Sequence, residues 1–213
     1  MGRPELKRRK GLSLTFYLAV LGRMIPTKLQ HRLPGILSRV RARVPGVGLL
    51  LIGDGPQRAR ILRAARSHRL EEGRDIHLLG DVGDPHELTE WLLCSDLIVN
   101  PGTVGLTAAD ALFAGTPVVL ARAGRRGPYH GPEWKYLLDS PGGVFVRRHS
   151  DQAFAEAIVE YLEKPAEERR SIQEACARYA EESLGIEPMV HGILSFFDTG
   201  AREAVISAEV SLA

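Results

Sequence analysis

Short apolar segments alternate with segments of helical length through the middle of the chain. The apolar segments are continuous rather than alternating, which is typical of strands covered by helices on both faces. This alternation predicts a parallel sheet with crossover helices, so we expect a single doubly wound, Rossmann-like α/β domain. The six predicted strands are 14–21, 48–52, 76–79, 97–100, 118–120 and 143–146.

Helices are expected between and after these strands. Phe154, Ile158 and Leu162 recur on one helical face, and Pro165 is a start signal for the helix that follows. We therefore place a basic extension at 1–13, the domain at 14–197 and a weakly specified tail at 198–213. The predicted helices are 33–44, 56–68, 85–94, 106–115, 132–138, 151–162, 166–183 and 188–197.

Composition and charge narrow the class of protein. With 44% apolar and 25% charged residues, the chain is globular rather than disordered. Its net charge is only +2, but residues 1–45 carry +10 and the remainder carries −8. The acidic remainder has no aromatic platform, which argues against nucleic-acid binding. The basic N-terminus fits contact with anionic lipid headgroups, or a solvated tail.

Two features bear on localisation. Cys94 and Cys176 are the only cysteines, too few to staple a domain of this size, which favours a reducing compartment. Residues 3–21 resemble the basic and apolar parts of a signal peptide, but no small-x-small cleavage site follows. We expect a cytoplasmic protein that can also sit peripherally at the inner face of the membrane.

The first two strand-to-helix loops hold candidate ligand-binding residues, because ligands of a doubly wound sheet bind beyond the carboxyl ends of its strands. Gly22 is followed by Arg23 and Lys28, two cations that either face one diphosphate or are simply solvated. Gly53 and Gly55 permit a tight turn whose amides would face a phosphate, although a plain turn fits equally well.

The next two loops add a carboxylate each. Asp84 precedes Pro85 as a helix N-cap, which explains it without a ligand. The loop 100–106 is glycine-rich and leads into a helix, an arrangement that presents amides to an anion. Asp110 follows among Ala and Leu, where a carboxylate either meets a hydroxyl-bearing ligand or faces solvent.

Taken in order, these loops resemble the nucleotide-sugar-binding half of GT-B glycosyltransferases of the large retaining family 4. The resemblance runs from about residue 18 to residue 195. It implies transfer of a sugar from a nucleotide-diphosphate sugar with retention of configuration, with no cofactor and no required metal. The segments that carry it are 22–28, 49–56, 78–82, 95–101 and 111–119.

The resemblance assigns roles residue by residue. Arg23 and Lys28 match the pair that neutralises the donor diphosphate, and Asp110 matches the second glutamate of the family's Glu-x7-Glu motif, which binds the ribose hydroxyls. Val82 and Asp84 fall where the family's loop holds the base. The other implied donor-binding residues are Gly22, Gly53, Gly55, Gly102, Thr103, Val104, Gly105 and Leu106.

The sequence departs from the family in two ways. Gly102 stands where the first glutamate, which contacts the donor sugar, is expected. The family's acceptor-binding domain is not among these residues, so the chain holds one wall of the cleft. His130, in the segment 130–133, is expected to be a loop histidine rather than a base.

Three functions therefore stay open. The first is a transferase that acts on a glycan or lipid-linked acceptor, with the acceptor domain supplied by a partner chain. The second is a non-catalytic nucleotide-binding or partner subunit. The third is a sugar-nucleotide 2-epimerase, which shares the GT-B plan; the spacing of Arg23 and Lys28 and the run 115–119 favour the transferase over it.

Overall fold

The computed structural model describes residues 2–124 and 128–188, together with Val190 and Leu194. Its six strands form one parallel sheet in the order β3-β2-β1-β4-β5-β6, which confirms the predicted doubly wound fold. The predicted tail lies outside the described residues, as does most of the predicted last helix. The strands are β1 (Phe16–Leu21), β2 (Val47–Ile52), β3 (Ile76–Gly80), β4 (Leu97–Asn100), β5 (Val118–Ala121) and β6 (Gly143–Val146).

The strand order reverses between β1 and β4, and these two strands pair over only part of their lengths. β1 pairs with β2 along its whole length, from Phe16 to Leu21. Its pairing with β4 covers only Leu18 and Ala19, so it stops two residues before either strand ends. The carboxyl ends of β1 and β4 therefore flank a crevice, which is where a doubly wound sheet binds its ligand.

Helices cover both faces of the sheet, as the continuous apolar strands predict. Alternate residues of β2 show the two faces, because Leu49 and Leu51 pack into one buried cluster and Leu50 and Ile52 into the other. The helices are α1 (Arg3–Arg9), α2 (Leu33–Arg41), α3 (Arg58–Ser67), α4 (Pro85–Leu93), α5 (Thr107–Phe113), α6 (Tyr136–Asp139), α7 (Asp151–Leu162) and α8 (Ala166–Leu184), with 3-10 turns at Pro26–Lys28, Gln30–Arg32 and Pro132–Lys135.

Helix α1 is not indicated by the sequence pattern. The Arg3 guanidinium donates to the carbonyl oxygens of Ser95, Ala114 and Gly115 at 2.8–3.1 Å. Leu6, at 3% exposure, is part of the core. The first residues are therefore packed against the domain instead of forming the solvated tail that was one alternative.

Within the described part of the chain, no helix combines the length and the apolar character needed to cross a bilayer.

Candidate functional site

The loops that follow β1, β2 and β3 lie backbone on backbone at the carboxyl end of the sheet. The Gly22 amide donates to Ile52 O at 2.9 Å, and the Gly53 amide donates to Gly80 O at 2.7 Å. A Cβ atom on Gly53 would lie 2.5 Å from Gly22 O, so only glycine permits this approach. The same holds for Gly55, where a Cβ atom would lie 2.7 Å from a carbonyl oxygen of the first loop.

In the second loop, which follows β2, the backbone amides of Gly53, Asp54 and Gly55 are all hydrogen-bonded within the protein. The Gly53 amide is bonded to Gly80, and the Gly55 amide donates to the Asp54 carboxylate at 2.7 Å. The Asp54 amide donates in turn to Asp81 Oδ1 at 3.0 Å. The expectation that these amides would face a phosphate is therefore wrong for this structure. The two glycines instead hold the first loop in place.

Lys28 is a half-buried cation at the crevice. A Cβ atom on Gly22 would lie 3.7 Å from Lys28 Nζ and 3.8 Å from Thr107 Cγ2, so the ammonium and the start of α5 both lie close to Gly22. Burial lowers the pKa of Lys28. No acidic group among the described residues forms an ion pair with Lys28, and the same is true of the exposed Arg23. A partly desolvated ammonium without a counter-ion favours binding of an anion.

The glycine-rich loop rests on the turn that carries Lys28. The Thr103 amide donates to Thr27 O at 3.0 Å. A Cβ atom on Gly102 would fall on Thr27 O and 2.5 Å from the carbonyl carbon of Lys28. This contact leaves no space for a side chain, so the glutamate of the family motif does not fit at position 102. The departure seen in the sequence thus has a steric cause.

His130 holds the other side of this loop. Its Nδ1 accepts a hydrogen bond from the Val104 amide at 3.1 Å, and its Nε2 lies 2.8 Å from the carbonyl oxygen of Ala121. The Gly131 amide donates to Val104 O at 2.7 Å. Burial, and to a smaller extent the nearby His149 and Lys28, lower the pKa of His130. Because both ring nitrogens are engaged, His130 is a neutral positioning group here rather than a base.

His149 was not singled out by the sequence. Its Nε2 lies within hydrogen-bonding distance of Pro101 O, at the start of the glycine-rich loop, and 2.8 Å from Arg32 Nη1. Arg32 Nε donates to Asp151 Oδ1 at 2.7 Å. His149 comes from the loop after β6, which holds several polar residues and no distinctive spacing. No sequence signal could therefore have identified it.

The predicted ribose and base contacts lie on the same edge of the sheet. Asp110 is exposed in the first turn of α5, its carboxylate has no hydrogen-bonding partner among the described residues, and desolvation by neighbouring atoms raises its pKa. Asp84 caps α4, because its carboxylate accepts a bond from the His86 amide at 3.1 Å. Val82 packs partly against the core. The donor-binding assignments of all three stay predictions.

Polar atoms without partners gather at this end of the sheet. Asn100 is 1% exposed, and neither its Oδ1 nor its Nδ2 has a partner among the described residues. The Thr107 hydroxyl and Gln30 Oε1 are likewise buried and unpaired, and Gln30 Nε2 donates to Gly22 O at 3.2 Å. Buried polar groups are nearly always bonded to protein, water or ligand. Sequence reasoning missed these residues because they carry no charge, although a polar residue ending an apolar strand was a signal for Asn100.

Two amides of the glycine-rich loop add to this set. The amides of Gly105 and Leu106 have no acceptor within the part of the chain that the structure describes. The Leu106 side chain is 71% exposed beside them. The loop thus offers donors on the exposed side, while Gly102, Thr103 and Val104 are bonded or packed on the inner side.

Three grooves of the domain lie away from these residues. One, of about 600 Å³, runs between α2 and α7 and is lined by Arg39, Val159 and Glu163. The candidate site is an open crevice rather than an enclosed cavity, so we place it by geometry and charge rather than by concavity. Among the described residues, no three His, Cys, Asp or Glu side chains are grouped so that they could hold a metal ion.

The fold and the crevice together define a class of protein, the Rossmann-like half-domain of a GT-B glycosyltransferase. The chain belongs to the glycosyl transferases group 1, whose family model matches residues 15–164. The resemblance inferred from the five sequence segments is thereby confirmed.

Similar proteins cover this chain well but are much longer. It is 29% identical over 164 residues to glycogen synthase of Mycobacterium tuberculosis, spanning 76% of this chain and 37% of that protein. It is 27% identical to a GDP-mannose-dependent phosphatidylinositol monomannoside mannosyltransferase of Mycolicibacterium smegmatis, over 76% of this chain and 43% of that protein. The chain thus spans about two fifths of these curated relatives.

Solved structures share the fold. The C-terminal domain of the glycosyl transferase group 1 protein LpcC from Francisella tularensis has a TM-score of 0.71 and 18% identity, and the match covers 87% of this chain and 94% of that one. Anabaena HepE, in complex with UDP and glucose, has a TM-score of 0.70 and 20% identity, over 91% of this chain and 52% of that one.

Proposed function

We propose that this chain is the donor-binding domain of a retaining, family 4-like glycosyltransferase that uses a nucleotide-diphosphate sugar. The observation that carries the proposal is the Lys28 ammonium, half-buried beside Gly22 at the crevice and lacking an acidic partner among the described residues. Support also comes from relatives whose names specify GDP-mannose and from solved neighbours that hold UDP.

The chemistry follows from where charge develops. When the bond from the sugar carbon to the donor oxygen breaks, negative charge accumulates on the departing diphosphate. Lys28, already partly desolvated, stabilises that charge at little reorganisation cost, and the exposed Arg23 adds a second cation. The free amides of Gly105 and Leu106 donate to phosphate or sugar oxygens, and Asp110 accepts bonds from the ribose hydroxyls.

The acceptor has to be bound on the opposite side of the cleft, outside this domain. A glycan or lipid-linked hydroxyl attacks the sugar carbon and gives its proton to an oxygen of the departing diphosphate, and the bond from the sugar carbon to that diphosphate breaks. We propose that a second domain or a partner chain holds this acceptor against the crevice. Relatives named for phosphatidylinositol mannosides and for a lipopolysaccharide core support a lipid-linked acceptor.

The steric exclusion at Gly102 favours one rival function. A subunit that binds nucleotide without transferring sugar does not need the glutamate that contacts the donor sugar, and position 102 has no space for it. Turnover separates the two functions, because both predict nucleotide binding and only the transferase releases nucleoside diphosphate from a donor.

We also propose that the predicted peripheral contact with anionic lipid is made by α3 rather than by the N-terminus. In α1, the half-buried Arg3 is bonded to Ser95 O and Lys7 is paired with Asp96 at 2.8 Å. Residues 55–70, by contrast, contain five arginines and no acid. Three of them, Arg60, Arg63 and Arg66, are exposed and form no ion pair with any described residue.

The experiment that tests the proposed function measures binding of UDP, GDP and ADP to the purified chain by calorimetry. We expect one of the three to bind, and Arg23→Ala and Asp110→Ala to weaken that binding. Unchanged affinity in both variants would show that the site is misplaced. The chain, alone and mixed with the products of neighbouring genes, is then assayed for nucleoside diphosphate release from sugar donors; no release in any mixture would favour the non-catalytic subunit.

A further inference from the structure

The segment 101–104 is fastened at both ends by histidine side chains that neither the family nor the proposed reaction assigns a role. We propose that His130 and His149 form a histidine clamp that holds this segment against the 3-10 turn Pro26–Lys28, called the Lys28 turn below, and that protonation of His130 releases the segment. The proposal rests on the proposed function only because the site that the clamp supports is the predicted diphosphate site.

The His130 end of the clamp requires a neutral ring. Nδ1 accepts a hydrogen bond from the Val104 amide, which is possible only while that nitrogen has no proton. Nε2 therefore carries the proton and donates to Ala121 O. The ring stacks at a tilt on Trp134, with centroids 5.5 Å apart, and the Gly131 amide adds a second bond to Val104 O. Ring orientation and tautomer are thus both fixed.

The His149 end is braced from behind. Its Nε2 donates to Pro101 O, and Arg32, which is held by the Asp151 carboxylate, donates from Nη2 to the backbone oxygen of His149 at 3.5 Å. The His149 ring packs on the edge of Phe154 at 6.1 Å between centroids. Pro101 is therefore held by His149, whose backbone is in turn held by Arg32 and Asp151 at the start of α7.

Between the two histidines, the loop contacts the backbone beside Lys28, the cation predicted to bind the diphosphate. Gly102 lies on the backbone of Thr27 and Lys28, and the Thr103 amide donates to Thr27 O. Any movement of this segment away from its histidines therefore removes the surface that supports the Lys28 turn. The contact is backbone on backbone, so it cannot be absorbed by a change of rotamer.

The charges around His130 determine when the clamp opens. Lys28 and His149 lie near it, Arg122 stacks on Phe145 behind Trp134, and Glu133 places a carboxylate beside Gly131. Burial, with smaller contributions from His149 and Lys28, lowers the pKa of His130 below the ordinary 6.5, so the clamp is closed at neutral pH. When the pH falls below the pKa of His130, a proton on Nδ1 points at the Val104 N–H, and the hydrogen bond between them is lost.

The first test follows the clamp itself by NMR, without nucleotide. We expect the His130 ring nitrogens to show the Nε2–H tautomer at about pH 7.5, and the Val104 amide shift to change with the same midpoint as the ring when the pH falls to about 5. Independent titration of the two signals would overturn the clamp.

The second test measures the affinity for UDP, GDP and ADP in paired variants at about pH 7.5 and about pH 5.5. His130→Gln keeps an oxygen for Val104 and an N–H for Ala121, so we expect near wild-type affinity at the higher pH. His130→Phe keeps the ring on Trp134 but removes both bonds, and we expect about tenfold weaker binding. Because the diphosphate itself gains a proton in this range, each affinity is compared with that of His130→Gln at the same pH.

The outcomes separate the clamp from the proposed function. Relative to His130→Gln, the wild type should lose affinity as the pH falls, and equal pH profiles, or full affinity in His130→Phe, would overturn the clamp. If the wild type binds none of UDP, GDP and ADP while the ring and the Val104 amide still titrate together, the clamp stands and the proposed function fails.

Discussion

The backbone of Gly102 lies on the backbone of Lys28, so closely that a Cβ atom on the glycine would sit 2.5 Å from the lysine's carbonyl carbon. Real Cβ atoms do not approach backbone to this distance. The glycine is therefore required by its neighbour and not by its own backbone conformation, since its φ is not in the left-handed region. One contact thus explains the absent glutamate and joins the glycine-rich loop to the predicted diphosphate cation.

Gly102→Ala is expected to lower the free energy of unfolding by about 1–3 kcal/mol, the usual cost of overpacking. Gly105→Ala, three residues away, is the matched control. A Cβ atom there meets nothing within 4 Å and the φ is not left-handed, so stability should stay the same or rise slightly. Urea denaturation of the two variants measures the difference, and equal stabilities would contradict the close approach at Gly102.

Lys28→Met should separate binding from stability. The substitution removes a half-buried ammonium that has no acidic partner among the described residues, so the folded state loses no ion pair and thermal stability should hold or rise. Affinity for the bound nucleoside diphosphate should fall by about 1.5–3 kcal/mol, the range for a hydrogen bond to a charged group.

The control for this variant is Lys164→Met, which removes a lysine paired with Glu168 in a surface i,i+4 arrangement away from the crevice. It should leave nucleotide affinity unchanged. A Lys28 variant that unfolds, or that binds as tightly as the control, would argue against a diphosphate beside Gly22.

The strands were predictable because helices cover both faces of the sheet, so the central strands β2, β4 and β5 are fully buried and even the half-buried edge strands β3 and β6 are largely apolar. Gly53 and Gly55 were placed in the correct loop for an incomplete reason, since their positions depend on carbonyl groups of a distant loop that no local pattern specifies. His149 and Arg3 were missed because each acts on backbone carbonyls far along the chain. Contacts of a side chain with remote backbone leave no periodicity in the sequence.

Asp110→Asn should change stability in a pH-dependent way. The pKa of Asp110 is raised in the folded state, so the folded protein takes up the proton more readily than the unfolded chain. Its ionisation therefore costs stability at neutral pH, and that cost disappears as the pH falls through the folded pKa. The asparagine variant should be the more stable at pH 7 and indistinguishable from wild type at strongly acidic pH.

Asp84→Asn is the matched control, because asparagine caps a helix as well as aspartate does. Thermal melts of both variants across the acidic range measure the difference. A lower melting temperature for Asp110→Asn at neutral pH would mean that the carboxylate has a stabilising partner in the folded protein.

The arginines of α3 should determine binding to anionic vesicles. Replacing Arg60, Arg63 and Arg66 with glutamine removes three exposed cations, each worth about 1 kcal/mol near an anionic surface. Co-sedimentation with phosphatidylglycerol vesicles should fall in this triple variant and not in Arg8→Gln, whose arginine is paired with Glu5. Equal sedimentation of the triple variant and wild type would exclude α3 as the lipid contact, and dependence on Arg8 would return it to the N-terminus.

Arg3→Met should test whether α1 is part of the domain. The guanidinium bonds the carbonyl oxygens at the ends of α4 and α5, where the helix dipoles favour a cation, and its removal leaves Ser95, Ala114 and Gly115 without that donor. We expect a loss of about 2 kcal/mol in the free energy of unfolding, typical of a charged donor bonded within the protein.

The control is Arg8→Met, which breaks only an exposed ion pair within α1. It should lower the free energy of unfolding by at most a few tenths of a kcal/mol, roughly the value of an i,i+3 pair. If the two variants unfold at the same urea concentration, the N-terminal segment contributes nothing to the fold. A selective loss for Arg3 would instead mean that α1 stabilises the end of α5 opposite the donor site.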